Sequence, residues 1–162
     1  MKKLWILVFA VLLSGCAAEQ TFETISDVWY PEETQLSEIV LPLPEEAAEA
    51  VVQADGASVY ACDGYELTLE VLPGGSIDQT MQTISGLSPE HLSALETHPA
   101  YGTRYDLTWC AESEQGEQIS RAAVLDDGCT HYCLTATASA ADVSELTRQW
   151  NALFQSFALA SY

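Results

Sequence analysis

The chain has 162 residues, 48% hydrophobic and 18% charged, with 24 Asp and Glu against 5 Lys and Arg, for a formal charge of −19. That balance excludes a nucleic-acid reader, whose affinity comes largely from cations neutralising phosphates, and it excludes peripheral attachment to anionic lipid headgroups. The apolar fraction is too high for a disordered acidic polymer, and one folded domain is the default.

Lys2 and Lys3 precede an uncharged apolar stretch from Leu4 to Leu13, followed by Ser14-Gly15-Cys16. A stretch of about ten residues is too short to span a bilayer but has the build of an export signal. Leu13-Ser14-Gly15-Cys16 resembles the lipobox of bacterial lipoproteins. The resemblance implies that residues 1–15 are removed and that Cys16 is acylated, so that membrane lipid holds the chain on the outer side of the cell membrane. Two acyl chains on one Cys make such attachment stable. Both lysines leave with the signal, and the mature chain keeps only Arg104, Arg121 and Arg148 as cations.

Residues 16–57 read as an acidic tether and edge segment: Ala17 to Ser58 holds ten acidic residues and no basic one. Phe22, Ile25 and Trp29 are spaced to dock a short helical turn. Ile39, Leu41 and Leu43 alternate as in a strand, which Pro42 would confine to an edge. Glu45 to Gln53 has helical propensity.

A single α+β domain is expected over 58–162. Ser58–Cys62 and Tyr65–Leu72 form a hairpin around Asp63-Gly64, with Tyr65, Leu67, Leu69 and Val71 on one face and Glu66, Thr68 and Glu70 on a wet one. Ser76 and Gln79 make a capping box for a short helix carrying Ile77, Met81 and Ile84, which Gly86 ends. Leu92–Thr97 reads as a strand, although Ser88-Pro89 also suits a helix start. Thr103–Ala111, Gln118–Leu125 and Thr130–Thr137 follow as strands, the last two joined at Asp126-Asp127-Gly128. Ser139 and Asp142 then cap a long C-terminal helix on which Val143, Leu146, Trp150, Leu153 and Phe157 share one face.

Hairpin, helix, antiparallel meander and terminal helix describe an antiparallel β-sheet with a short and a long helix packed on it. Over Ser58–Leu159 this order, with Trp150, Phe154 and Phe157 in the last helix, resembles the Mog1/PsbP-like sandwich. The chain is similar also to small exported lipoproteins of gut Firmicutes, through Asp27-Val28-Trp29-Tyr30, Cys62-Asp63-Gly64-Tyr65 and Val124-Leu125-Asp126-Asp127-Gly128. The first resemblance implies a binding or assembly factor, and neither carries a catalytic motif.

With Cys16 acylated, the even set Cys62, Cys110, Cys129 and Cys133 in an exported chain permits two disulfides, in any of three connectivities; four free thiols are the alternative. Cys129 and Cys133 on one extended strand would be about 13 Å apart, too far to pair with each other. Cys129-Thr130-His131-Tyr132-Cys133 has metal-ligand residue types without the spacing of a zinc knuckle, which favours a strand carrying a surface His. His91 and His98 read as loop residues. Asp126 and Asp127 could ligate calcium but are first a turn. Arg121 lies in strand register with Ala123 and Leu125, which predicts a covered stem and a head paired with a carboxylate.

No nucleophile elbow, phosphate loop or EF-hand spacing is present, and no catalytic residue, metal or cofactor is expected. The leading expectation is a noncatalytic module that holds a protein or small-molecule partner on its sheet face or in the groove beside the C-terminal helix. An exposed patch among Trp29, Tyr60, Tyr101 and Trp109 would support it. The alternative is a metal-dependent protein or enzyme built around His131, Cys129 and Cys133.

Overall fold

The computed structural model describes residues 37–47, 50–54, 56–100, 102–114 and 116–160. Expectations resting on the signal segment, Cys16, Phe22, Ile25, Asp27–Tyr30 and Tyr101 lie outside the described residues. The described strands are β1 (Ile39–Val40), β2 (Val52–Ala54), β3 (Ala57–Cys62), β4 (Tyr65–Pro73), β5 (Ser93–Thr97), β6 (Thr103–Ser113), β7 (Gly116–Asp126), β8 (Thr130–Ser139) and β9 (Ala158–Leu159). The helices are α1 (Ile77–Ser85) and α2 (Val143–Ser156).

Seven strands form an antiparallel sheet in the order β2-β3-β4-β8-β7-β6-β5. After β4 the chain crosses through α1 to the far edge, then returns as the meander β5 to β8 until β8 pairs with β4. This places β8 at the centre, where all of its residues except Thr137 and Ser139 are buried.

The pleat divides β8 between two cores. Tyr132, Leu134, Ala136 and Ala138 join Tyr65, Leu67, Ala123 and Leu125 beneath Leu146, Trp150, Leu153 and Phe154 of α2. Tyr65 meets Trp150 edge to face with ring centroids 6.1 Å apart, a favourable aromatic geometry. On the opposite face, Cys133 joins Leu107, Trp109, Ala122 and Val124 beneath Met81 of α1. The expectation of one wet face is therefore corrected, because α1 and the turn after it roof part of that face with Ile84, Leu87 and Leu92.

Local signals fared unevenly. Gly86 ends α1 at φ 71°, where its N–H reaches the Gln82 carbonyl, as a left-handed helix end requires. The capping boxes do not form: neither Ser76 nor Asp142 makes a side-chain cap bond, and the Ser139 hydroxyl accepts only the Ala141 N–H, at 3.3 Å, ahead of the helix. Glu45–Ala47 makes one 3-10 turn and Val52–Ala54 a strand, in place of a helix through Gln53, as suits two successive β-branched valines. Pro89–His91 is a 3-10 turn leading directly into β5, so both signals in that stretch are realised in sequence.

The N-terminal stretch is held at several points. β1 pairs with β9, the short strand after α2, and Gln149 donates to both Glu46 and the Tyr65 hydroxyl. Ser37 donates its hydroxyl to Asp127 at 2.6 Å and its N–H to the Tyr132 hydroxyl at 2.7 Å.

Candidate functional site

On the α2 side of the sheet, the helix covers β4, β8 and β7 but stops short of the β5 edge. Residues of even number on β6 and odd number on β7 face this side, so Arg104, Asp106 and Thr108 lie beside Arg121. All five residues of β5 are exposed, and Leu95, directly across from Asp106, is 63% exposed. Here lies an open concavity of about 670 Å³, floored by Asp106, Thr108 and Arg121 and rimmed by Leu92, Ser93 and Leu95. That volume is in the range of small-molecule sites.

The two arginines here have opposite roles. Arg104 grips both oxygens of Asp106 through Nε and Nη2, at 2.8 and 2.9 Å. It also donates to the carbonyls of Phe154 and Phe157, each at 2.9 Å. Those carbonyls lie in the last turn of α2 and just beyond it, where helix carbonyls lack intrahelical partners and the dipole favours a cation. Arg104 is therefore the C-terminal cap of α2, delivered from a strand. Sequence reading missed it, although Arg104-Tyr105-Asp106 places opposite charges two apart on one strand face.

Arg121 was expected to pair with a carboxylate, and the structure corrects this. Its Nη1 donates to the neutral Asn151 side chain at 2.6 Å, and its guanidinium carbon lies 4.5 Å from the centre of the Phe154 ring. Burial lowers its pKa, an effect opposed by nearby Asp106 and reinforced by Arg104. Asp106, the acidic group whose charge acts on Arg121, is itself held by Arg104.

The cysteines do not pair: Cys62, Cys110, Cys129 and Cys133 are all free thiols. Cys62 and Cys110 share a sheet face but sit on β3 and β6, four strand positions apart, or about 19 Å at ordinary strand spacing. Cys133 points to the other face, under α1, and Cys129 lies exposed in the β7–β8 turn. Burial, with Glu70 alongside, pushes the Cys133 thiol up to about 12. Burial also raises Cys62, partly offset by its bond with Tyr65.

His131 is a buried residue rather than a surface one, 1% exposed. Its Nδ1 lies 2.7 Å from the Thr80 hydroxyl of α1 and its Nε2 3.7 Å from Asp126, so it fastens the helix to the sheet. It shares a face with Cys133, while Cys129 stays in the turn. Among the described residues, no group of three His, Cys, Asp or Glu is placed to hold a metal ion. Asp126 and Asp127 serve the turn: Asp126 accepts the Gly128 N–H, and Asp127 accepts those of Cys129 and Thr130. Burial alone would raise the Asp127 carboxyl, but these donors, Ser37 and Tyr132 together hold it below the usual carboxylate range. Of the aromatics proposed for a surface patch, Trp109 is buried and Tyr60 half-buried against the α2-side core. His91 and His98 are exposed, as expected of loop residues.

No family model and no curated protein matches the chain. Solved structures do. A protein of unknown function from Pseudomonas aeruginosa, PA94, described as a putative regulator, is 10% identical with a TM-score of 0.52, over 77% of this chain and 99% of its own. The cyanobacterial PsbP (CyanoP) of Synechocystis sp. PCC 6803 is 9% identical with a TM-score of 0.52, over 79% of this chain and 96% of its own. The likeness shows an α+β, Mog1/PsbP-like fold.

Proposed function

We propose that this chain is an extracytoplasmic lipoprotein, anchored in the cell membrane through acylated Cys16, and that it works as a noncatalytic binding or assembly module. The anchor rests on the Leu13–Cys16 pattern behind a charged and then apolar start. The binding role rests chiefly on one observation: the exposed strand β5 and its Leu95 form the rim of a concavity that α2 leaves open. A free sheet edge offers backbone donors and acceptors, and soluble proteins usually shield such edges. The PsbP-like neighbour agrees with the fold, and function on such folds resides in the particular site.

A photo-crosslinking residue at Leu95 of the full chain in growing cells tests the reading. A discrete adduct in the membrane fraction, absent when the same residue replaces Gln82 on α1, is the expected result. Labelling from both positions alike, or from neither, would refute a site at this groove. Metabolic labelling with a clickable fatty acid should mark the chain, and Cys16→Ser should abolish the mark.

A further inference from the structure

We infer that the concavity beside α2 is a receptor for a monocarboxylate carrying an apolar body, with Arg121 as the group that binds the carboxylate. The inference rests on the binding-module reading above and names the chemistry of its ligand.

The mature chain sets three arginines against 24 carboxylates. In such a chain a half-buried guanidinium has acidic partners in abundance, and Arg104 has taken one. Four of the five N–H donors of Arg104 are occupied by Asp106 and by the Phe154 and Phe157 carbonyls at the end of α2. Arg121, among the described residues, makes one hydrogen bond, to the neutral oxygen of Asn151, and no ion pair. Its remaining donors belong to a side chain that lines open space.

The side chain is also pre-positioned. The cation–π contact with Phe154 and the bond to Asn151 restrain the guanidinium, which reduces the entropy lost when a ligand binds. A planar fork with free donors matches a carboxylate in two parallel bonds. Asp106 faces the same cavity with its charge balanced by Arg104, so the three side chains together leave one net positive charge, which matches a monoanion. Leu95, exposed at the rim, supplies an apolar contact for the remainder of the ligand.

The carboxylate has two sources, a free small acid or the C-terminus of a peptide, and the experiment separates them. The isotopically labelled protein is titrated with benzoate and benzamide, and with acetyl-Ala-Leu and its C-terminal amide, at constant ionic strength, following backbone amides and the arginine Nε–H signals. Saturable shifts at Arg121, Thr108 and Leu95 with at least one free acid, and none with either amide, are expected. The tighter of the two acids identifies the source.

Arg121→Gln should weaken that binding about tenfold or more, while Arg148→Gln, at an exposed position on α2 outside the cavity lining, should change it less than twofold. Leu95→Glu gives the same loss from an exposed site, so the conclusion survives if Arg121→Gln fails to fold. No shift with either acid, equal shifts with the amides, shifts that persist in both cavity variants, or tighter binding of inorganic phosphate would each overturn the inference. A specific crosslink from Leu95 together with no acid binding would refute the carboxylate assignment alone and leave the binding-module reading standing.

Discussion

Asp127→Ala removes a carboxylate that ties together the β7–β8 turn and the N-terminal stretch. Its Oδ1 accepts the Cys129 and Thr130 N–H groups at 2.9 and 2.8 Å, and its Oδ2 accepts the Ser37 hydroxyl at 2.6 Å and the Tyr132 hydroxyl at 3.3 Å. A net value of about 1 kcal/mol for each of the three shorter bonds, reduced where water replaces the carboxylate at exposed Cys129, predicts a loss of about 2–3 kcal/mol. The folded state holds this carboxyl below its ordinary value, so its contribution is present above about pH 4 and fades as pH falls through the lowered folded-state value. Urea titrations of both proteins, followed by tryptophan fluorescence, should show a gap of that size at pH 7 that narrows toward pH 2.5. A gap below about 0.5 kcal/mol at pH 7, or one unchanged by acid, would refute the reasoning.

Three further outcomes follow from burial and charge. Brief alkylation of the native protein should modify Cys110 and Cys129 first and leave Cys133 untouched until unfolding, read by peptide mass; equal labelling would contradict its burial. Phe154→Ala, which empties a fully buried site beneath α2 and removes the ring under Arg121, should cost about 3–5 kcal/mol in a urea titration. Glu70→Gln should raise the urea midpoint at pH 7. Burial raises the Glu70 carboxyl, so its ionised form disfavours the folded state as pH climbs through the raised value, and the advantage of Gln should vanish below about pH 4.

The legible parts of the fold were those written in local periodicity. The alternation from Tyr65 to Val71, the turn at Asp126-Asp127-Gly128 and the spacing of Leu146, Trp150 and Leu153 each set one element and its buried face. The capping boxes, also local, failed because a cap needs side-chain geometry that residue identity alone does not supply. His131 was misplaced because a strand shows period two without saying which face a second helix will cover, and α1 covers that one.

Composition and pattern determined the acidity, the scarcity of cations, the α+β class and the helix that carries Trp150 and Phe154. Tertiary structure alone decided the rest: the place of β5 at the far edge of the sheet, the return of β9 to β1, the separation of the four thiols and the division of labour between the two arginines. Arg104 and Arg121 look alike in sequence, each on a strand and each near acidic residues. One meets the carbonyl end of α2 and is filled by it, while the other meets an amide and a ring and keeps donors facing open space. That difference arises from pairings some 30 to 53 residues apart along the chain. Strand order and helix placement bring such partners together, and no local pattern encodes them.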